Sequence, residues 1–93
     1  DYQPRQLLEI AAAAAFNNGY ELDEGALQEL LEIFNKEYEN RDENFGNART
    51  ARNILYRAIS NQEERIAKQY QLSDKDLTTI VLEDVQQIRN NGS

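Results

Sequence analysis

"NARTARNILYRAISNQEERIAKQY", residues 47–70, contains neither glycine nor proline and repeats its apolar residues at helical spacing. Taking ~100° per residue from Arg49, the apolar set Ile54, Leu55, Ala58, Ile59 and Ile66 falls between roughly 140° and 280°. Arg52, Asn53 and Tyr56 fall between roughly 300° and 40° on the same wheel. A helix over 47–70 therefore buries one side and turns Arg49, Arg52, Asn53 and Tyr56 away from the core. The fold must supply other helices to cover the buried side.

Two such helices precede it. Pro4 suits a first helical turn, and Leu7, Leu8, Ile10, Ala11, Ala14, Ala15 and Phe16 recur at helical spacing until Asn17-Asn18-Gly19 offers a stop, which predicts a helix over 4–17. Its run of five alanines has high helix propensity and little bulk, so a neighbour can lie close. Asp23 is a good N-cap for a second helix over 24–39, whose stripe is Leu27, Leu30, Leu31, Phe34 and Tyr38. The expected partner of the 47–70 helix is this second one, with Leu55, Ala58, Ile59 and Ile66 against Leu27, Leu30, Leu31 and Phe34. "NRDENFGN", residues 40–47, is the connecting loop.

The C-terminal part, "LSDKDLTTIVLEDVQQIR", reads as a short turn capped by Ser73 and boxed by Asp76, then a β-branched run over 78–81, then a helix from Leu82 or Glu83. The run can pair with the extended stretch Tyr20 to Leu22. The expected fold is all-α: three long helices and a short C-terminal one, with at most a two-stranded ribbon. Residues 1–90 form one domain, and 91–93 are a disordered tail or an expression scar.

Charge and composition restrict function. Lys and Arg total 10 against 17 Asp and Glu, for a net charge of -7, which disfavours nucleic acid and anionic membranes as partners and argues against a helix-turn-helix DNA reader. There is no cysteine and no histidine, so thiolate zinc sites and the commonest general base are missing, and a self-contained hydrolase is not expected. No apolar run reaches the roughly 18 residues of a membrane span, and "DYQPRQLLEI" lacks the order of a signal peptide; the expected location is cytoplasmic. The abrupt start suggests a piece of a longer protein.

Asp42 and Asn44 at alternate positions invite a calcium loop. A twelve-residue loop begun at Asp42 puts Asn47 where glycine is needed and Asn53 where the bidentate glutamate belongs; begun at Asp74 it fails at Thr79 and Val85. No metal site is expected. The arginines are another matter: from Gly46 to Gln62 there are Arg49, Arg52 and Arg57 and no acidic residue. A helix start repels cations, so Arg49 there gains nothing locally unless an anion comes to it. The plain alternative is a solvated polar face, paired with Asp42 or Glu43; the anion reading rests on helix-start amides, a glycine permitting close approach, and an arginine one turn in.

"RDEN" (41–44), "FGNAR" (45–49), "RN" (52–53), "NQEER" (61–65) and "DLTTIVLEDV" (76–85) occur in this order, after "DYQPRQLLEI" (1–10) and "NNGYELDEGALQELLEIFN" (17–35). Together they resemble the C-terminal lid of the CbxX/CfqX-type AAA+ ATPases, the group of red-type Rubisco activase and the stage V sporulation protein K-like proteins. The resemblance runs from Tyr2 to Val85. It implies that Arg49 is the sensor-2 arginine, reaching the γ-phosphate of ATP held on the large subdomain. It further implies that Gly46 and Ala48 approach the nucleotide, and that Arg52 and Asn53, with Tyr56 on the same face, meet the large subdomain or a neighbouring subunit. ATP and Mg would belong to the intact parent, a homo-oligomeric, hexameric ring, with no nucleotide held tightly by this chain. The alanine run and Thr50 depart from the family's usual residues. Neither a "GxxxxGK[ST]" phosphate loop nor a Walker B carboxylate pair occurs in the 93 residues, so the chain by itself is not expected to hydrolyse ATP. The alternative reading is a free-standing acidic adaptor that binds a protein through an apolar or Arg49/Arg52/Tyr56 face.

Overall fold

The computed structural model describes residues 2–40 and 47–91, the last two as backbone. The elements run α1 (Pro4–Asn17), β1 (Glu21–Leu22), α2 (Glu24–Glu39), α3 (Ala48–Ile66), α4 (Asp74–Thr78), β2 (Thr79–Ile80) and α5 (Leu82–Asn91). Local chemistry accounts for most of these limits. The Gln3 amide donates to Gln6 Oε1 at 2.8 Å ahead of Pro4, and α1 ends where Gly19 takes a positive φ of 82° that a side chain would resist. Asp23 Oδ1 accepts the Ala26 amide at 2.8 Å, the N-cap bond expected for α2. Ser73 and Asp76 exchange their bonds, at 3.1 and 3.0 Å, to form the expected box at the start of α4.

Helix α3 stops at Ile66, four residues short of the expected Tyr70. The amides of Lys68 and Gln69 turn back to the carbonyls of Arg65 and Ile66, tightening the last turn, and every residue from 67 to 78 is exposed. With no apolar side chain buried from 67 to 78, nothing repays further helix.

Helices α2 and α3 both pack along α1 and α5 and lie diagonally across the bundle, which corrects the expected pairing of α3 with α2. The core joins Leu7, Ala11 and Ala15 of α1, Leu30 and Phe34 of α2, Ala51, Leu55 and Ala58 of α3, Ile80 of β2 and Val85 of α5. Ile59 and Ile66 are only partly buried. On α2 the buried face is Ala26, Glu29, Leu30, Ile33 and Phe34, with Leu27, Leu31 and Tyr38 at its edge. That face is rotated by roughly 90° from the expected stripe, toward α1 and α5. Gly25 permits the approach: a Cβ there would lie 3.1 Å from Leu82 Cβ, at the start of α5.

The ribbon forms as expected between the two extended stretches, in parallel, with Glu21 opposite Thr79 and Leu22 opposite Ile80. The Tyr20 hydroxyl beside it donates to Glu63 Oε2 at 3.5 Å, so α1 runs in the same direction as α3. Helix α5 runs against α3, since Arg65 meets Asp84 and Arg57 Nη2 reaches the Ile88 carbonyl at 3.5 Å. The first turns of α1 and α3 therefore share one end of the bundle, and the ribbon and α4 occupy the other.

Candidate functional site

The α3 start is built by Asn47, whose Oδ1 accepts both the Thr50 amide at 2.9 Å and the Thr50 hydroxyl at 3.1 Å. The bond leaves Thr50 half-buried and sets the phase of the helix, so that Ala51 goes fully into the core and Arg49 outward. No acidic residue stands in this first turn. Arg49, Arg52, Asn53 and Tyr56 are all exposed, on the side opposite Leu55 and Ala58. Among the described residues, neither Arg49 nor Arg52 makes an ion pair or hydrogen bond.

Ala48 is half-buried beside Arg49; Gly46, and the candidate partners Asp42 and Glu43, lie outside the described residues. Arg57, grouped with the other arginines by sequence, is committed instead to the Ile88 carbonyl of α5. Of the three, Arg49 and Arg52 are the two without a partner among the described residues, one turn apart at a helix whose first turn holds no acidic residue. Such an arrangement can receive a phosphate or a carboxylate.

A half-open groove of about 450 Å³ lies elsewhere, between the C-terminal half of α3 and α5, lined by Asn61, Arg65, Gln69, Glu83, Gln86 and Gln87 among others. It is far along α3 from Arg49, and its one buried carboxylate, Asp84, is tied to Arg65. Arg65 Nε and Nη2 donate to the two Asp84 oxygens at 2.9 and 3.2 Å, and Asp84 Oδ2 also accepts the Val81 amide at 3.0 Å. The bond to Asp84 raises the Arg65 pKa above its ordinary value. This is a structural tie, and sequence reading missed it.

It also missed Gln62 and Glu29, both buried. Gln62 sits at roughly 220° on the wheel counted from Arg49, in the middle of the apolar arc, and that position was the available signal. Glu29 is held by Arg89 Nη1 at 2.7 Å across α2 and α5, for which no local signal exists.

The family model for the AAA lid domain matches residues 3–93 of this chain. The chain belongs to the AAA lid domain family. It is also similar to the Protein CfxQ homolog of Galdieria sulphuraria, 36% identical over 87 residues that cover 91% of this chain and 28% of the relative. Both findings agree with the resemblance to CbxX/CfqX-type lids carried by the quoted segments. The lid thus spans a little over a quarter of the length of that relative. Its mostly helical bundle bears out the all-α fold with a small ribbon expected from helical spacing and the two extended stretches, the ribbon being parallel. Among the described residues of the lid, no helix is long and apolar enough to cross a membrane.

Proposed function

We propose that this lid of an AAA+ ATPase closes over ATP held on the large subdomain of its parent, and that Arg49 is the sensor-2 residue that meets the phosphates. The observation that carries the reading is that Arg49 and Arg52 are exposed and, among the described residues, unpaired, at a helix whose first turn holds no acidic residue. The donor set suits a polyphosphate: a planar guanidinium can make two parallel bonds to phosphate oxygens, and α3 adds its first amides. ATP would supply the transferring phosphoryl group and Mg its counter-charge; the large subdomain would hold both. Arg49 would neutralise charge on the phosphate oxygens, with Gly46 and Ala48 lining the approach. Arg52, Asn53 and Tyr56, continuing the same face, would meet the large subdomain or the next subunit of a homo-oligomeric, hexameric ring.

The bundle adds a mechanical reason. The first turn of α1 and the first turn of α3 share one end, so a chain entering at α1 from a preceding subdomain arrives beside Arg49. Hinge movement at that entry would swing Arg49 toward or away from the phosphates. The adaptor reading has the same exposed face to work with but no family relation behind it.

The test is Arg49→Ala in the intact parent. ATP turnover should fall tenfold or more, because a charge-assisted contact in a closed site contributes a few kcal/mol to the transition state. Arg49→Lys should recover only part of it, since lysine keeps the charge but not the planar fork. Normal turnover in Arg49→Ala would make Arg49 an ordinary surface arginine.

A further inference from the structure

Helix α4 is a single turn, Asp74–Thr78, and buries no residue. A helix this short has no stability of its own in water, because nucleation costs more than one turn returns. It forms the C-terminal end of a twelve-residue stretch, 67–78, in which every residue is exposed. Something other than apolar burial keeps it folded.

Its ends are satisfied almost wholly by side chains. At the start, Ser73 and Asp76 form the capping box, and Leu72 and Leu77 occupy the flanking positions of a hydrophobic staple. At the end, the Thr79 hydroxyl donates to the Lys75 carbonyl at 2.6 Å, and the Gln62 amide donates to the carbonyls of Asp76 at 3.2 Å and Leu77 at 3.1 Å. Gln62 is 1% exposed, set in the apolar face of α3. It acts as a C-cap supplied from another helix, on two carbonyls that a helix end leaves without partners. Asn61 and Arg65, on the same turn of α3, bind Asp84 instead and hold the start of α5 independently of α4.

We propose that residues 67–78 form a latched strap, with Gln62 as its latch: the strap opens as a unit while β2, α5 and the bundle stay in place. The hinges are set by the ties on either side. Ile66 ends α3, and Thr79 and Ile80 are buried in the ribbon against β1. The latch sits on the helix that carries Arg49, thirteen positions along, at the opposite end of the bundle. Opening would free Tyr70, Leu72 and Leu77 from the geometry α4 imposes, without disturbing the start of α3.

Amide hydrogen exchange on this chain, followed by NMR, tests it. In the wild type the Asp76 and Leu77 amides should exchange at least about tenfold faster than those of Leu55 and Ala58, as expected for local opening. Gln62→Met keeps the shape and removes the donor, and should speed strap exchange about a further tenfold, the loss of a weak pair of hydrogen bonds, with α1 and the first half of α3 unchanged. Thr79→Val, which removes the shorter of the two hydroxyl bonds to the Lys75 carbonyl, should act on the same amides. Strap amides that exchange in step with α3, variants that speed the whole chain equally, or variants with no effect on the strap would each overturn the proposal.

Discussion

At the scale of single residues, Arg49 and Asp76 give opposite kinds of test. Arg49 is exposed and faces a helix start that does not favour it, so Arg49→Ala should shift the stability of the lid by under about 1 kcal/mol, measured as a denaturant midpoint. A large destabilisation would show that the side chain holds the fold instead of waiting for an anion. Asp76 is fully committed locally: the Ser73 amide, and then its hydroxyl, hold its carboxyl below the ordinary value of 3.8. A lowered folded pKa means that the box stabilises α4 above the unfolded value and loses that contribution as pH falls from about there through the lower folded one. An NMR titration of the Asp76 carboxyl should therefore place its midpoint under 3.8, with loss of the Ser73 amide bond over the same range. A midpoint at or above the ordinary value would mean that the box does not form in solution.

At the scale of elements, the costs follow burial and not sequence stripe. Leu55 is fully buried, and Leu55→Ala should cost about 2–5 kcal/mol by chemical denaturation. Leu31 lies at the edge of the α2 face, so Leu31→Ala should cost clearly less than Leu30→Ala, although sequence spacing treats the two alike. Equal costs would argue for the unrotated stripe. Between α3 and α5 the decisive tie is polar: Asp84 is 2% exposed, and Arg65→Ala would leave its carboxylate buried with only the Val81 amide. The loss should be about 3 kcal/mol, at the low end for a broken buried pair because Arg65 itself is partly exposed. A near-neutral result would mean that water takes the place of the guanidinium.

For the whole molecule, the question is how much of the site this chain carries alone. One exposed arginine pair and one helix start can hold a polyphosphate only weakly, since AAA+ sites place most phosphate contacts on a phosphate loop that is not in these 93 residues. Calorimetry on this chain should find ATP affinity no better than millimolar, and a coupled assay no turnover. Micromolar binding would point to a complete site within the lid and away from a shared one.

Much of this was legible in the residues because it is local. Proline at the start of α1, Asp23, Ser73 and Asp76 set helix limits through bonds within three residues. The α3 period told inside from outside so closely that Arg49, Arg52, Asn53 and Tyr56 are all exposed and Leu55 and Ala58 buried. What periodicity measures, though, is rotation about a helix's own axis. It does not say which neighbour lies on the apolar side, so the α1–α2–α5–α3 arrangement, the turn of α2 toward α5 and the diagonal separation of α2 from α3 were settled only by closing the bundle around Leu7, Phe34, Leu55 and Val85. The same holds for Arg65 with Asp84, Arg89 with Glu29, and Gln62 with α4: pairs 19, 60 and 14 residues apart, whose bonds exist because packing first brought the groups out of water together.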